Sequence, residues 1–240
     1  MDLSIIIPAY KESNKICHDV EAASAFLEKA RLRGEILVVD DGSPDDTAAA
    51  AKRCELPPAV ERRVIRYQPQ RGKGCAVRTG VLASRGTYVM FADAGLCVPF
   101  DNALRGLELI YGGACDIAHG SRKLPDSRIQ RPQHLYRRLL SRLFRGFVRL
   151  FMDVPGDLTD TQCGFKVYRG DVARKLYGEC RSDGFMFDIE VLLRALRHGY
   201  KVREFPVEWR CDLDSRLKPA RSSLETYHEL RAIRKNLEKK

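Results

Sequence analysis

Short apolar runs alternate with helical periodicities along the first hundred residues. Leu3–Ile7 is a strand-like run closed by Pro8, and residues 12–33 place Ile16, Val20, Ala23, Leu27 and Ala30 at helical spacing before Gly34. Ile36–Val39 is a second strand, and the turn Asp40-Asp41-Gly42-Ser43-Pro44 leads into an alanine-rich helix at 46–54. Val64–Tyr67, a glycine-rich turn at 72–74 with a helix to Ser84, and a strand at Thr87–Ala92 continue the rhythm. A strand with one wet face alternates apolar and polar residues, whereas a strand covered on both faces stays apolar throughout. The pattern predicts an α/β fold, a mainly parallel central sheet with helices on both faces. The second half predicts helices at 101–111, 133–152, 170–178 and 187–198, strands at Asp116–His119 and near Val202–Trp209, and a polar loop running to Pro132. A charged helix occupies the last twenty residues. We expect a single domain over 1–240, with a nucleotide-binding half to about residue 100, an acceptor half over 101–220 and a C-terminal helix over 221–240.

The chain has 240 residues, 44% hydrophobic and 31% charged. That excludes a disordered or fibrous chain and suffices for a core without disulfide staples. Eight cysteines stand singly, without a CxxC pair or a Cys/His ligand spacing, which argues against zinc and for free thiols in a reducing compartment. No run approaches the ~18 apolar residues of a membrane-spanning helix, and no signal-peptide pattern opens the chain, so the expectation is a soluble or peripheral, cytoplasmic protein. The net charge of +10 is local: nine Lys/Arg face one acid between Ser121 and Leu150. In the 133–152 helix, Leu135, Leu139, Leu143, Phe147 and Leu150 stand opposite Arg138, Arg142, Arg145 and Arg149. This suits an interfacial membrane helix, and equally a core helix with a charged outer face. Few aromatics interleave the basic run, which argues against nucleic acid.

In open parallel sheets, ligands bind at the carboxyl ends of the strands. The polar clusters sit at those ends: Pro8-Ala9-Tyr10-Lys11-Glu12, Asp40-Asp41-Gly42-Ser43, Gln70-Arg71-Gly72-Lys73-Gly74 and Asp93-Ala94-Gly95. With GSR at 120–122, DTQCGFK at 160–166 and FDIE at 187–190, their order resembles the family 2 glycosyltransferases of GT-A fold. The resemblance runs from Leu3 to about Pro219 and is strongest to the polyprenyl-phosphate sugar synthases, dolichyl-phosphate glucosyltransferases in particular.

The resemblance implies inverting transfer of a hexose from a nucleotide sugar to a polyprenyl phosphate at a membrane surface, glucose from UDP-glucose first and mannose from GDP-mannose second. Pro8, Tyr10, Glu12, Asp40, Asp41, Asp93, Ala94, Gly95 and Arg216 would then meet the nucleotide sugar. For Asp41, capping of its own turn is the rival role. The Arg71–Gly74 turn offers backbone and cations to an anion. Arg122, with the i,i+4 pair Arg137 and Ser141, would hold the acceptor phosphate; Arg138 competes with Arg137 by one register. Asp160, Cys163 and Gly164 would build the site floor. Asp188 and Glu190 would either position sugar hydroxyls or pair with arginines, and Asp188 is assigned the substrate-positioning role, among the catalytic residues with Asp93, Arg122, Arg137 and Ser141. An acceptor phosphate is ionised near neutral pH, so no proton-abstracting base is required.

The family pattern Asp-x-Asp holds Mg²⁺ or Mn²⁺ against the donor diphosphate, but Gly95 replaces the second acid. Three readings stay open: Asp93 holds the ion with help from the diphosphate, the basic segment replaces the metal, or catalysis is weakened and the chain only binds nucleotide sugars. A family 2 transferase with a non-lipid acceptor is a further alternative.

Overall fold

In the computed structural model, residues 1–131, 146–210 and 222–238 are described. The first half alternates as predicted: β1 Leu3–Ala9, α1 Ile16–Lys29, β2 Gly34–Asp40, α2 Thr47–Arg53, β3 Glu61–Arg66, α3 Lys73–Ala83 and β4 Tyr88–Ala92. There follow α4 Ala103–Tyr111, β5 Ile117–Ser121, β6 Arg128–Arg131 and a helix at 146–152 (α5). The chain continues through β7 Phe165–Arg169, α6 Gly170–Glu179, α7 Phe187–Arg197, β8 Val202–Pro206, β9 Glu208–Arg210 and α8 Ser222–Glu238.

Seven strands form one sheet in the order β3-β2-β1-β4-β7-β5-β8, and only β7 runs antiparallel to its neighbours. Successive strand side chains point to opposite faces. Leu3, Ile5 and Ile7 of β1 therefore pack with Val20 and Leu27 of α1, Ala51 of α2 and Leu107 of α4. Ile6, Leu37 and Val39 pack with Val77 and Val81 of α3, Leu176 of α6 and Val191 of α7. Both faces are dry, which is why these strands read as continuous apolar runs. Each fully buried Ile or Val contributes about 1.5–3 kcal/mol relative to exposure. A third cluster joins Val148 and Met152 of α5 to Ile189 and Leu192 of α7 and Leu230 and Ile233 of α8.

Four expectations change. The loop running to Pro132 contains β6, which pairs with β9 in a separate two-stranded sheet. The strand expected at Val202–Trp209 is accordingly split between two sheets. Cys17 and Cys54 do not stand singly but form a disulfide between α1 and the residue after α2, with Cα atoms 5.4 Å apart. Helix packing brings together residues 37 positions apart, which spacing rules cannot register. In α5 the buried residues are Val148 and Met152, whereas Leu150, placed on the apolar stripe, is 84% exposed. Most of the predicted 133–152 helix lies outside the described residues. No described helix is long and apolar enough to cross a membrane.

Candidate active site

The parallel strands deliver their following loops to one edge, where side chains tie them together. Lys11 takes a left-handed φ of 56° after β1, and its N–H donates to Ser43 Oγ at 2.9 Å. The Glu12 N–H donates to Thr47 Oγ1 at 2.8 Å. Asp40 is fully buried; it accepts from the Ser43 N–H at 2.9 Å and faces Arg66 Nε at 3.3 Å. Asp41 accepts from the Tyr67 hydroxyl (2.8 Å) and from the N–H groups of Arg71 (2.8 Å) and Gly72 (2.9 Å). The structural alternative for Asp41 is capping of its own turn; here its carboxylate braces the 71–72 turn instead. Gly72 must be glycine, because φ is +121° and a Cβ would collide with the Asp183 carbonyl. Pro8 and Tyr10 are half-buried at the same edge, with the Lys11 ammonium 5.3 Å from the Tyr10 ring centroid.

At the centre, Lys73 Nζ lies 2.6 Å from Asp93 Oδ1. Lys73 opens α3 and Asp93 follows β4, so adjacent loops supply the two charges. Burial alone would lower the lysine's pKa, but Asp93 and Asp188 outweigh it and raise it, holding the ammonium charged. The Asp93 N–H donates to the Gly164 carbonyl at 2.9 Å. A Cβ on Gly164 would collide with the Asp93 carboxylate, which explains the glycine within DTQCGFK. Beneath lies Lys166, fully buried, paired with Asp188 and donating to the Thr161 carbonyl at 2.9 Å. Burial raises the Asp188 pKa despite Lys166 and Lys73. With 4% exposure, Asp188 pairs with a lysine, Lys166, and with no arginine among the described contacts. His119 is buried too; desolvation and the Lys166 charge hold it neutral.

Arg122, at the end of β5, is gripped by Asp160: its Nε, Nη2 and backbone N–H donate to that carboxylate at 2.6, 2.8 and 3.0 Å. Burial would raise the Asp160 pKa, but Arg122 wins and lowers it. Glu204 of β8 accepts the Thr159 and Asp160 N–H groups at 2.9 and 2.7 Å, so the grip is itself held. The guanidinium lies 5.4 Å from the Trp209 ring centroid. Asp93 lies close enough to act on the Arg122 charge and, with Arg122, Asp160 and Lys166, on the buried Cys163 thiol, which burial pushes up to about 12. Arg122, Asp160, Asp93 and Lys73 are thus one electrostatic neighbourhood. Beside it a cavity of about 410 Å³ is lined by Lys123, Val148, Leu158, Thr159 and Thr161 among others.

Glu190 falls outside this cluster: it binds Arg194 at 2.7 Å and the N–H groups of Arg181 and Ser182, a structural role. Arg149 donates to the Leu158 carbonyl at 3.3 Å and to that of Gly156, so it secures a loop. Arg137, Arg138, Ser141 and Arg216 lie outside the described residues. For a hard divalent ion, the donor set offers one carboxylate, Asp93, already paired with Lys73. Gly95 contributes no side chain, and no group of three His, Cys, Asp or Glu suited to a metal exists among the described residues.

Two residues that hold the site together were not singled out by the sequence: Lys166 and Glu204. Lys166 interrupts the apolar run of a strand hidden within a motif. Glu204 carries no such mark.

The sequence model of glycosyl transferase family 2 matches residues 4–177. The dolichyl-phosphate beta-glucosyltransferase of Dictyostelium discoideum is 31% identical over 97% of this chain and 73% of its own length. The human enzyme of that name is 32% identical over 97% of this chain and 74% of its own. Glycosyltransferase AglD of Haloferax volcanii is 32% identical over 93% of this chain, which spans only 35% of AglD. Among solved structures, glucosyl-3-phosphoglycerate synthase from Mycobacterium tuberculosis, in complex with Mn²⁺, UDP-glucose and phosphoglyceric acid, superposes with a TM-score of 0.69 at 17% identity, covering 98% of this chain and 78% of that one. That likeness is one of fold.

Proposed function

The chain belongs to glycosyl transferase family 2, and from that premise we propose that it transfers a hexose, glucose first, from a UDP-sugar to a polyprenyl phosphate of the dolichyl type. One observation carries the proposal: the Lys73–Asp93 pair stands at the carboxyl edge of the sheet beside Arg122, which Asp160 holds in place. The donor lies along the loops of Pro8–Glu12 and Asp93–Gly95, with its diphosphate at Lys73. Arg216 closes over the diphosphate. Arg122 holds the acceptor phosphate, and Arg137 and Ser141, outside the described residues, are the further residues that the family resemblance assigns to it. The acceptor arrives ionised, so the chain's task is orientation and charge neutralisation. Asp93 is the residue that would hold Mg²⁺ or Mn²⁺ together with oxygens of the donor diphosphate. Bound there, such an ion would supply positive charge to the departing diphosphate. Leu150, 84% exposed, and Phe147, 41% exposed, face outward near the cavity and suit peripheral contact with a membrane, on its cytoplasmic side.

The test is transfer of labelled glucose from UDP-glucose into an organic-extractable product with dolichyl phosphate, run beside GDP-mannose and beside a soluble acceptor. Lipid-linked glucose supports the proposal. Product on a soluble acceptor alone overturns the lipid reading. Gly95 favours one rival, a protein that binds nucleotide sugars without turnover; saturable UDP-glucose binding with no product on any acceptor would establish it.

A further inference from the structure

Asp19 lies on α1, 2% exposed, and belongs to none of the motifs of the site. Its Oδ1 accepts the N–H groups of Gly95 at 2.9 Å and Leu96 at 3.0 Å, and its Oδ2 accepts that of Gly95 at 3.0 Å. Both residues take left-handed backbone, φ 93° at Gly95 and 47° at Leu96. Successive N–H groups in a turn can face one side and make a nest for an anion, and here the N–H groups of Gly95 and Leu96 both face Asp19. The anion in this nest is an internal carboxylate. Leu96 pays a steric penalty for its backbone, so the turn needs an external hold, and Asp19 is that hold.

The anchorage matters because of what it joins. α1 starts from the loop after β1, where the Ile16 N–H donates to the Glu12 carbonyl at 2.9 Å. The nest lies two residues beyond Asp93. Asp19 thus ties the loop of Tyr10 and Glu12 to the turn that carries Asp93. It does so at position 95, where the family pattern has a second acid and this chain has a glycine.

We propose that Asp19 is a positioning residue of the donor site, fixing as an anion the turn that aims Asp93. The proposal rests on the donor reading above. Glu12 and His18 are the charged groups that face Asp19, beside the two N–H groups. Burial, the largest influence, pushes its carboxyl up to about 6, with the N–H groups of Gly95 and Leu96 pulling back.

Two measurements test it. Amide hydrogen exchange at Gly95 and Leu96 should quicken at least tenfold in Asp19→Asn, with the core strands unchanged. UDP-glucose is the binding probe, because its diphosphate, esterified at both ends, does not titrate between pH 5 and 8. Wild-type affinity should fall about tenfold as pH drops through about 6, Asp19→Asn should stay at the weakened level throughout, and His18→Gln should keep the wild-type profile. Should Asp19→Asn not fold, the wild-type and His18→Gln profiles decide alone. A pH-flat wild type, a profile lost in His18→Gln, protected amides in Asp19→Asn, or unchanged affinity in that variant each overturns the role. A wild type that binds no UDP-glucose at any pH overturns the donor reading itself and the positioning role with it, whereas a wild type that binds while the variant matches it overturns only the latter.

Discussion

Asp160→Ala removes the carboxylate that takes three hydrogen bonds from Arg122 and leaves that guanidinium without its partner. Asp160 is 1% exposed and the Arg122 side chain 22%. Breaking a buried pair from one side costs about 3–5 kcal/mol, and the partial exposure of Arg122 lets water recover some of it. We therefore expect a loss of about 3 kcal/mol, roughly a hundredfold in the folded-to-unfolded ratio. Asp160 titrates below its ordinary range in the fold. Its stabilisation is therefore complete above the unfolded pKa, about 3.9, and is lost only as pH falls through the lower folded value. Urea denaturation of wild type and variant should differ by a constant amount from pH 5 to 8 and converge only in stronger acid. A cycle with Arg122→Ala and the double variant should return a coupling of about 2–3 kcal/mol, because the two residues share one interaction. A variant within 0.5 kcal/mol of wild type at pH 7, or a negligible coupling, refutes the reasoning.

Leu150→Glu should leave urea stability within about 0.5 kcal/mol, since the side chain is exposed, yet reduce sedimentation with anionic vesicles; unchanged sedimentation removes Leu150 from the membrane surface. Asp41→Ala should free Tyr67 and the 71–72 turn and cost about 2 kcal/mol, with trypsin cutting after Arg71 sooner than in wild type; an equal cutting rate contradicts the bracing role. Gly95→Asp should cost about 1–2 kcal/mol, because φ is +93°, and Gly95→Asn less; thermal melts in which neither variant shifts would show the turn to be unstrained.

The sheet was legible because its physics is local. β1, β2 and β4 are covered on both faces, so their sequences carry the fact in every residue, and the helices between them carry the complementary stripe. What was not legible depends on neighbours distant in sequence. β7 sits inside DTQCGFKVYR, where Gly164 lies against the Asp93 carboxylate and Lys166 pairs with Asp188, so its chemistry masks its apolar run. β6 exists because β9 lies beside it, and the register pairs Arg131 with Arg210, a residue far along the chain. Within the site, the residue types at Asp93 and Arg122 were readable from their places at strand ends. The partners that orient them, Lys73, Asp160 and Glu204, come from three different loops and strands. Asp40 and Asp41, expected at the donor from their strand-end place, also have neighbours that the sequence does not announce: Ser43 and Arg66 for the first, Tyr67 and the 71–72 backbone for the second.

Gly95 is where composition and geometry have to be weighed together. Two carboxylates and a divalent ion are neutral as a group, and so are one carboxylate and an ammonium. With Asp93 facing Lys73 at 2.6 Å, the site is balanced before any ion arrives, so a free divalent cation finds no net negative charge to draw it in. The donor changes that balance, because its diphosphate brings two negative charges and the hard oxygen ligands that Mg²⁺ or Mn²⁺ prefers. A side chain restored at 95 would have to adopt left-handed backbone, and an acid there would stand on the nest already filled by Asp19. The turn is therefore built around a carboxylate that comes from α1 instead of from position 95, and on the proposed donor reading a divalent ion is expected to bind together with UDP-glucose and not to the free chain, which titration calorimetry with Mn²⁺ in the presence and absence of UDP-glucose checks.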